Sequence, residues 1–391
     1  MTKKKKIALA IICPFASILV IALVVILALW GNVIRSISSI KQIAVSDASR
    51  LDGNIYEMTV YGGYDFDKFL ERGGAKTDSE LISFITESVT KGLIKMNIGE
   101  SNIGCSSFTA INDENGHRVF GRNYDFRQTN TCIVHTKPGK GRHASVSTID
   151  LEFIGIKNDS SVNGISDKVL MMAAPFVPLD GVNDAGVACG IYMSYQGGEK
   201  TIATNQNTEK PDLTSTTMLR MILDYADSVD EAVELVKKYD LHDSANTSFH
   251  YMVADKDGNS AILEWVAGTD STDNDGSKRQ LNVIYNKGNF QTVTNYIITE
   301  GYYDGEPEDS MAGLDRNNYL IDELSSTDGH VTDTDHALEL LKTIGRRNWK
   351  PKPDACTVHS VVFDLTDCTA VWVGNEHFGE DNYTKYLKAG K

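Results

Sequence analysis

A cysteine, an arginine and an aspartate in one short stretch of the sequence have the residue types that nucleophilic catalysis needs. Cys105 follows Gly104, and Arg122 and Asp125 come shortly afterwards. A positive charge beside a thiol favours the thiolate, which is the reactive form of cysteine. A carboxylate at the same place can accept or hold a proton. These side chains could form a cysteine-nucleophile site if the fold brings them together.

The sequence around these positions predicts the β-hairpin that would do so. Residues 104–111 and 117–120 are β-prone runs, the second of which leads into Arg122 and Asp125, and residues 112–116 between them read Asn-Asp-Glu-Asn-Gly, which is typical of a turn. A hairpin folds the end of its second strand beside the start of its first. We therefore expect Arg122 and Asp125 to lie near Cys105.

The Gly-Cys pair at the head of this hairpin, followed by Gly-Arg-Asn-Tyr-Asp-Phe at 121–126, resembles the start of the mature chain in the linear amide C–N hydrolases. This family includes choloylglycine (bile salt) hydrolases, penicillin V acylases, acid ceramidase and N-acylethanolamine acid amidase, all of them N-terminal-nucleophile (Ntn) hydrolases. The resemblance extends from about Met58 to about Phe378. It implies a precursor that cuts itself at Gly104–Cys105, after which Cys105 supplies both the thiol and, through its α-amino group, the base.

Three further residues resemble family positions near the catalytic site. Asn183 begins an Asn-Asp-Ala-Gly sequence and resembles an asparagine near the oxyanion site, although this sequence also forms a turn without any catalytic role. Asn295 resembles the asparagine whose side chain donates to the oxyanion. Arg316 resembles an arginine that reaches into the site from the start of a helix. The alternative for Arg316 is an ion pair with Asp315 or Asp322.

Most of the remaining sequence predicts strands in hairpins and a few amphipathic helices. The predicted strands are 145–156, 169–174, 249–255, 261–265, 281–285, 358–363 and 369–373, and the predicted helices are 213–226, 228–239 and 337–344. By pattern alone this is an α+β chain. The resemblance implies the four-layer αββα fold of Ntn hydrolases.

The first 30 residues differ in composition from the rest. Lysines at 3–6 precede an uncharged apolar run over residues 7–30, which at about 1.5 Å per residue could cross a hydrocarbon core about 30 Å thick. We expect an uncleaved transmembrane signal-anchor in residues 1–30, with a cytoplasmic basic tail and an extracytoplasmic catalytic domain. The alternative is a cleaved signal peptide. Residues 31–104 would be a prosegment, removed or retained after self-cleavage, and 105–391 the catalytic Ntn-hydrolase domain.

The charge and the cysteines narrow the classes of partner. A formal net charge of -15 over 391 residues argues against a nucleic-acid partner. The sequence has no Cys-x-x-Cys pair and no Cys/His spacing typical of zinc sites, so we expect no metal site. The mechanism that the resemblance implies also needs no metal and no organic cofactor. The cysteines at 132, 189, 356 and 368 are expected to be buried free thiols. A homo-oligomer stays an open alternative.

The resemblance thus implies a cysteine-nucleophile hydrolase of linear, non-peptide C–N amide bonds. We expect a lipid-like substrate, a fatty N-acyl amide such as an N-acylethanolamine or an N-acyl amino acid, because the long prosegment resembles that of the ceramidase-like members and the expected anchor lies at a membrane. One alternative is a bile salt hydrolase or penicillin V acylase with the same mechanism. Another is a membrane-tethered, uncut binding module. An amine in place of water would add N-acyltransferase activity.

Overall fold

The structure is a computed structural model, and it describes residues 30–88, 104–158, 161–196, 202–267, 273–302 and 312–390. In these residues the chain has a mixed α+β fold, as the sequence predicted. The helices are α1 (30–39), α2 (Phe66–Glu71), α3 (Asp78–Ser88), α4 (Ile165–Leu170), α5 (Ser215–Tyr225), α6 (Val229–Val236), α7 (Leu314–Ser326) and α8 (Thr334–Thr343).

Two large sheets account for most of the strands. The strands are β1 (Lys41–Ala44), β2 (Ile55–Tyr61), β3 (Gly104–Asn112), β4 (Arg118–Phe126), β5 (Thr131–Lys137), β6 (Ser145–Asp150), β7 (Asp180–Asn183), β8 (Val187–Met193), β9 (Asp212–Thr214), β10 (Asp240–His242), β11 (Phe249–Asp255), β12 (Ser260–Val266), β13 (Gln280–Tyr285), β14 (Thr292–Val293), β15 (His330–Val331), β16 (Cys356–Asp364), β17 (Thr369–Gly374) and β18 (Thr384–Lys388). A nine-stranded sheet has the order β1-β2-β5-β6-β7-β8-β11-β12-β13. A seven-stranded sheet has the order β14-β3-β4-β16-β17-β18, with β15 beside β3, and β9 pairs separately with β10.

The helices cover the outer faces of the two sheets, which pack on each other. Helix α5 packs on β7 and β8 and α6 packs on β11, whereas α7 and α8 pack on β3, β4 and β16. The indole N–H of Trp372, in the seven-stranded sheet, donates to the Thr148 hydroxyl of the nine-stranded sheet at 3.1 Å. Central strands are therefore covered on both faces. Every residue of β8 is buried, and its sequence contains no charged side chain, as a strand between two covering layers requires.

The predicted opening hairpin is confirmed. Strands β3 and β4 are antiparallel, with Cys105 opposite Tyr124 and Gly104 opposite Asp125. In the turn, Gly116 has a φ of +73°, a left-handed conformation that glycine adopts without steric cost. The predicted hairpins of β11 with β12 and of β16 with β17 also form, and the predicted helices appear as α5, α6 and α8.

Residues 30–88, here named the N-terminal segment, are built into the nine-stranded sheet. Strand β2 runs parallel beside β5, and β1 forms the edge of the sheet. Tyr56, Met58 and Val60 are buried in the same apolar core as Ile133 of β5. The N-terminal segment thus shares one core with the residues after Cys105.

The predicted strand over 169–174 is wrong. These residues lie at the end of α4 and in a following 3-10 helix, Met171–Phe176. A short apolar run does not distinguish a strand from a buried helix by periodicity alone, and Leu, Met and Ala favour helix. The predicted strand over 145–156 ends at Asp150, because the Asp150 carboxylate accepts from the Glu152 N–H at 2.8 Å and starts a helical turn.

The membrane anchor is the second expectation that the structure corrects. None of the helices in the described residues is long and apolar enough to cross a membrane. Helix α1 is about 15 Å long at about 1.5 Å per residue, and it contains Asn32 and Arg35. The apolar run over 7–30 otherwise lies outside the described residues, which begin at residue 30. The predicted membrane-anchored location with an extracytoplasmic domain is therefore contradicted.

The cysteines of the described residues are free, as expected. Cys132, Cys189 and Cys356 are buried, and Cys368 is partly exposed. Cys356 starts β16, whereas Cys368 lies in the turn before β17, so the hairpin does not bring the two thiols opposite each other.

Candidate active site

Cys105 lies at the start of β3 with its thiol in contact with Arg122. The Arg122 Nη2 donates to the Cys105 Sγ at 3.4 Å, and both side chains are fully buried. The register explains this contact: Arg122 is opposite Ser107 and Tyr124 is opposite Cys105, and opposed or alternate residues share one face of a sheet. That face turns toward the nine-stranded sheet, where Arg122 Nη2 also donates to the Ile191 carbonyl at 2.7 Å.

An aspartate from the other sheet fixes the orientation of Arg122. The Arg122 Nε donates to Asp180 Oδ2 at 2.9 Å. His359 Nε2 is 2.7 Å from the same oxygen, and all three side chains are fully buried. Burial alone would raise the pKa of the Asp180 carboxyl, but His359 and Arg122 lower that pKa below its usual value. Asp180 is thus an anion, and it holds the guanidinium against Cys105.

Burial and charge act in opposite directions on the Cys105 thiol. Burial raises the pKa of Cys105 to about 11, and the neighbouring Asp125 adds to this effect. The Arg122 guanidinium opposes it by favouring the thiolate. With the peptide bond between Gly104 and Cys105 intact, the thiol is therefore protonated at neutral pH, and a base is needed to activate it.

Asp125 lies on the opposite face of β4, beside Gly104. Its Oδ1 accepts from the Thr357 hydroxyl at 2.7 Å. Its Oδ2 accepts from Arg316 Nη1 at 2.7 Å and pairs with Arg346 Nε at 3.2 Å. Two cations and one hydroxyl thus fix a carboxylate that is almost wholly buried.

Gly104 has no room for a side chain at this place. A Cβ on Gly104 would lie 2.8 Å from Arg346 Nη2 and 3.1 Å from Asp125 Cβ. Asp125 and Arg346 therefore pack directly on the residue that precedes Cys105.

Asn295 contacts the backbone of Cys105. It follows β14, which pairs with β3, and its Oδ1 accepts from the Cys105 N–H at 2.8 Å and from Arg316 Nη2 at 3.2 Å. Its Nδ2 donates to the Met193 carbonyl at 2.9 Å, which leaves one amide proton for another acceptor. Arg316, at the start of α7, thus reaches Asp125 and Asn295 and does not form the alternative ion pairs.

Among the predicted site residues, Asn183 alone forms its side-chain hydrogen bonds with a turn and not with the other site residues. Its Oδ1 accepts from the N–H groups of Ala185 and Val187 at 3.1 and 2.9 Å, and its Nδ2 donates to the Ala226 carbonyl at 2.8 Å. These bonds close the turn between β7 and β8 and attach it to the end of α5. The geometry favours the turn-building alternative, and we leave Asn183 out of the candidate site.

Four residues of the site were missed by the sequence analysis: Asp180, Arg346, Thr357 and His359. A signal was available for two of them, because Thr357 and His359 are polar residues that, with Ser360, interrupt the apolar residues of β16. Asp180 and Arg346 lie outside any pattern that we used.

In the described residues, one group offers three possible metal ligands, and it lies away from this site. His117, Asp364 and Asp367 come within 4.8 Å of one another. They lie at the turn end of the β3–β4 hairpin, whereas Cys105 is at the opposite end. His117 Nδ1 is already 2.8 Å from Asp364 Oδ2.

Comparison with known proteins identifies a family. The family model described as linear amide C–N hydrolases, choloylglycine hydrolase family, matches residues 105–316. The matched region begins at Cys105 and includes Arg122, Asp125, Asn295 and Arg316. Comparison with curated protein sequences gave no match.

Several solved structures are similar to the chain at low sequence identity. A variant of conjugated bile acid hydrolase from Clostridium perfringens is 16% identical, with a TM-score of 0.49, over 72% of this chain and 92% of that one. Penicillin V acylase from Agrobacterium tumefaciens is 16% identical, with a TM-score of 0.44, over 69% and 83%. The N-acylethanolamine-hydrolyzing acid amidase ortholog from Caenorhabditis elegans is 18% identical, with a TM-score of 0.40, over 67% and 93%.

Proposed function

This chain belongs to the choloylglycine hydrolase family of linear amide C–N hydrolases, and we propose that Cys105 is its catalytic nucleophile. The observation that carries the proposal is the 3.4 Å contact between Arg122 Nη2 and Cys105 Sγ. A second observation supports the proposal: Asp125 lies beside the backbone at Gly104. The Cys105 thiol and the residue that precedes it thus each have a charged side chain beside them. We further propose that the two sheets and their covering helices form the four-layer αββα fold of Ntn hydrolases.

The proposed activation is cleavage of the peptide bond between Gly104 and Cys105. The Cys105 sulfur attacks the Gly104 carbonyl carbon, the thiol proton passes to the Cys105 nitrogen as the C–N bond breaks, and a thioester replaces the peptide bond. Water then hydrolyses the thioester, which leaves a carboxylate on Gly104 and restores the thiol. The cut also frees the α-amino group of Cys105, so residues 105–391 become the catalytic domain and the residues before them the prosegment. The start of the family match at Cys105 supports this boundary.

The freed α-amino group would act as the base. Such a group has a pKa of about 8, so it can accept the proton of the Cys105 thiol at neutral pH. Asn295 Oδ1 already accepts from this nitrogen at 2.8 Å, and Asp125, which lies opposite Gly104, would hold the freed α-amino group and tune its protonation. Arg122 would stabilise the thiolate that results.

The hydrolysis itself follows from these roles. The thiolate attacks the amide carbonyl of the substrate, and the remaining Asn295 amide proton and backbone N–H groups stabilise the oxyanion. Loss of one such donor costs about 2.7–4 kcal/mol of barrier in other enzymes. The amine leaves with a proton from the α-amino group, and water hydrolyses the thioester. An amine in place of water would complete an acyl transfer instead.

For the substrate we propose a lipid-like molecule, a fatty N-acyl amide. The support is the long upstream segment, which resembles that of the ceramidase-like and N-acylethanolamine-cleaving members. The net charge of -15 also disfavours anionic bile-acid conjugates. Each methylene of an acyl chain contributes about 0.8 kcal/mol when buried, so an apolar slot would select long chains. Bile salts and penicillin V are the alternative substrates.

The experiment is a comparison of kcat/KM for oleoylethanolamide, glycocholate and penicillin V with the purified protein, followed by the liberated amine. We expect the highest value for oleoylethanolamide. A tenfold higher value for glycocholate corresponds to about 1.4 kcal/mol of transition-state binding in its favour and would overturn the substrate proposal. Absence of hydrolysis of every amide, with the chain uncut, would overturn the enzymatic proposal and favour a binding module.

A further inference from the structure

A buried carboxylate of the N-terminal segment begins a chain of polar contacts that leads to Asp125. Asp52 precedes β2 and is 1% exposed. Its Oδ1 accepts from Arg347 Nη2 at 2.8 Å, and its Oδ2 is 2.7 Å from His377 Nε2. A side chain upstream of the proposed cut thus pairs with two residues near the end of the chain.

Arg347 forms several further hydrogen bonds where the N-terminal segment meets the end of the chain. Its guanidinium donates to the carbonyl oxygens of Arg50 and Asn375, and its backbone N–H donates to Glu376 Oε1 at 3.0 Å. The preceding residue, Arg346, directs its Nε toward Asp125 Oδ2 at 3.2 Å. Because the two arginines are consecutive, whatever fixes the backbone of Arg347 also fixes the point from which Arg346 reaches Asp125.

Glu376 and Thr357 form a second path to the same carboxylate. Glu376 Oε2 accepts from the Thr357 N–H at 3.0 Å. The Thr357 hydroxyl donates to Asp125 Oδ1 at 2.7 Å and accepts from the Arg346 N–H at 2.8 Å. Thr357 and Arg346 therefore each hold one oxygen of Asp125. Their positions depend in turn on the contacts of Glu376 and Arg347. Such networks are sensitive to the loss of one member, because the remaining charges stay buried and only partly satisfied.

We propose that Asp52 is a positioning residue for Asp125, so that the N-terminal segment is a working part of the mature enzyme. The proposal rests on the proposed function, in which Asp125 acts on the freed nitrogen of Cys105. Without the Asp52 carboxylate, the Arg347 guanidinium loses its ion pair with the N-terminal segment. Arg346 and Thr357 then hold Asp125 less firmly. Asp52 itself has no need to contact substrate.

The test is Asp52→Asn in the full chain, assayed after processing. We expect kcat to fall about tenfold, since small misplacements of catalytic groups have effects of this order or larger, with KM within about twofold of the wild-type value. Asp47→Asn is the matched control, because Asp47 is in the same segment and its carboxylate accepts from Ser49 at an exposed position. Asp47→Asn should leave kcat unchanged.

A second readout does not depend on turnover. The rate of Cys105 alkylation by iodoacetamide is measured against pH, with Cys105 identified by peptide mass, and Asp52→Asn should shift its midpoint while Asp47→Asn should not. If Asp52→Asn is not recovered folded, Arg347→Lys takes its place, since lysine keeps the charge but loses the planar fork. Wild-type kcat together with a wild-type alkylation profile in these variants would overturn the positioning role.

A double-mutant cycle separates this role from a general loss of packing. If Asp52 acts through Asp125, then Asp52→Asn combined with Thr357→Val should lower kcat by less than the product of the single effects. Multiplicative effects would count against a shared path. Failure of the wild-type protein to hydrolyse any amide would count against the proposed function instead, and the alkylation profiles would still decide the role of Asp52.

Discussion

Arg122 and Asp125 lie three positions apart on β4 and therefore project from opposite faces of it. Arg122 reaches the Cys105 sulfur on the face toward the nine-stranded sheet, 3.4 Å away. Asp125 reaches the backbone beside Gly104 on the face toward α7 and α8. The odd spacing thus places one charged group at the thiol and another beside Gly104, whose bond to Cys105 the proposed cut would break.

Asp180→Asn tests the support of Arg122. The change removes a fully buried anion from between Arg122 and His359, so Arg122 loses its counter-charge and His359 loses a charged partner. We expect a loss of about 3–5 kcal/mol in the free energy of unfolding, together with a fall in kcat per folded molecule. Urea unfolding and turnover of the folded fraction measure the two effects. Asp184→Asn, at an exposed site beside His143, should change neither.

Thr357→Val tests whether the hydrogen bond from the Thr357 hydroxyl positions Asp125. The change keeps the shape of the side chain but removes a hydrogen bond to a buried carboxylate and the acceptor for the Arg346 N–H. Such bonds to charged groups contribute about 1.5–3 kcal/mol, which corresponds to about a 10- to 100-fold loss in kcat/KM. Thr357→Ser keeps the hydroxyl and should recover most of the rate. An unchanged kcat/KM in Thr357→Val would show that this hydrogen bond does not contribute to catalysis.

Asn183→Ala tests whether Asn183 only builds its turn. Its side chain satisfies two N–H groups and one carbonyl of the β7–β8 region, so we expect a loss of about 1–3 kcal/mol in stability. The kcat of the folded fraction should remain at the wild-type value. A large fall in kcat with normal unfolding would return Asn183 to the oxyanion role.

The pH dependence of thiol labelling follows from the burial of Cys105. Burial raises the pKa of its thiol to about 11 in the uncut chain, so the fraction of thiolate, and with it the labelling rate, should stay low at pH 7–9 and rise as the pH approaches 11. In the cut fragment the α-amino group should lower the pH at which labelling begins. Mass spectrometry of a partly processed sample distinguishes the two chains. Equal labelling of both at pH 7 would contradict this expectation.

The hairpin, the central strand pairs and the main helices could be predicted because each depends on local pattern. The turn at residues 112–116 fixes β3 against β4, and this pairing alone brings Arg122 and Asp125 to Cys105. The run over 169–174 could not be assigned, since its apolar residues fit a strand or a buried helix equally well. Length and hydropathy over 7–30 suggested a span that no described helix provides.

The residues that fix Arg122 and Asp125 were mostly beyond prediction from sequence. Asp180 meets Arg122 across the two sheets, and Arg346 meets Asp125 from the segment after α8. Contacts of this kind depend on how separate elements pack, and no spacing along the chain encodes them. The same holds for Asp52, whose partner Arg347 is far away in sequence.

The N-terminal segment should remain bound after cleavage. Strand β2 pairs with β5 along its whole length, and Tyr56, Met58 and Val60 are buried in the shared core. Each such side chain contributes about 1.5–3 kcal/mol of burial. The two fragments should co-elute in gel filtration and separate only in denaturant. Separation in native buffer with retained activity would contradict both this prediction and a working role for Asp52.

The central claim is that Cys105, freed by cleavage, carries the acyl group during hydrolysis. The direct measurement is mass spectrometry of the protein after rapid acid quench during turnover of an N-acyl amide. We expect a fragment that begins Cys-Ser-Ser-Phe, heavier by the acyl group, with the added mass on the peptide that contains Cys105. A fragment with another N-terminus, or an acyl group bound to any other residue, would contradict it.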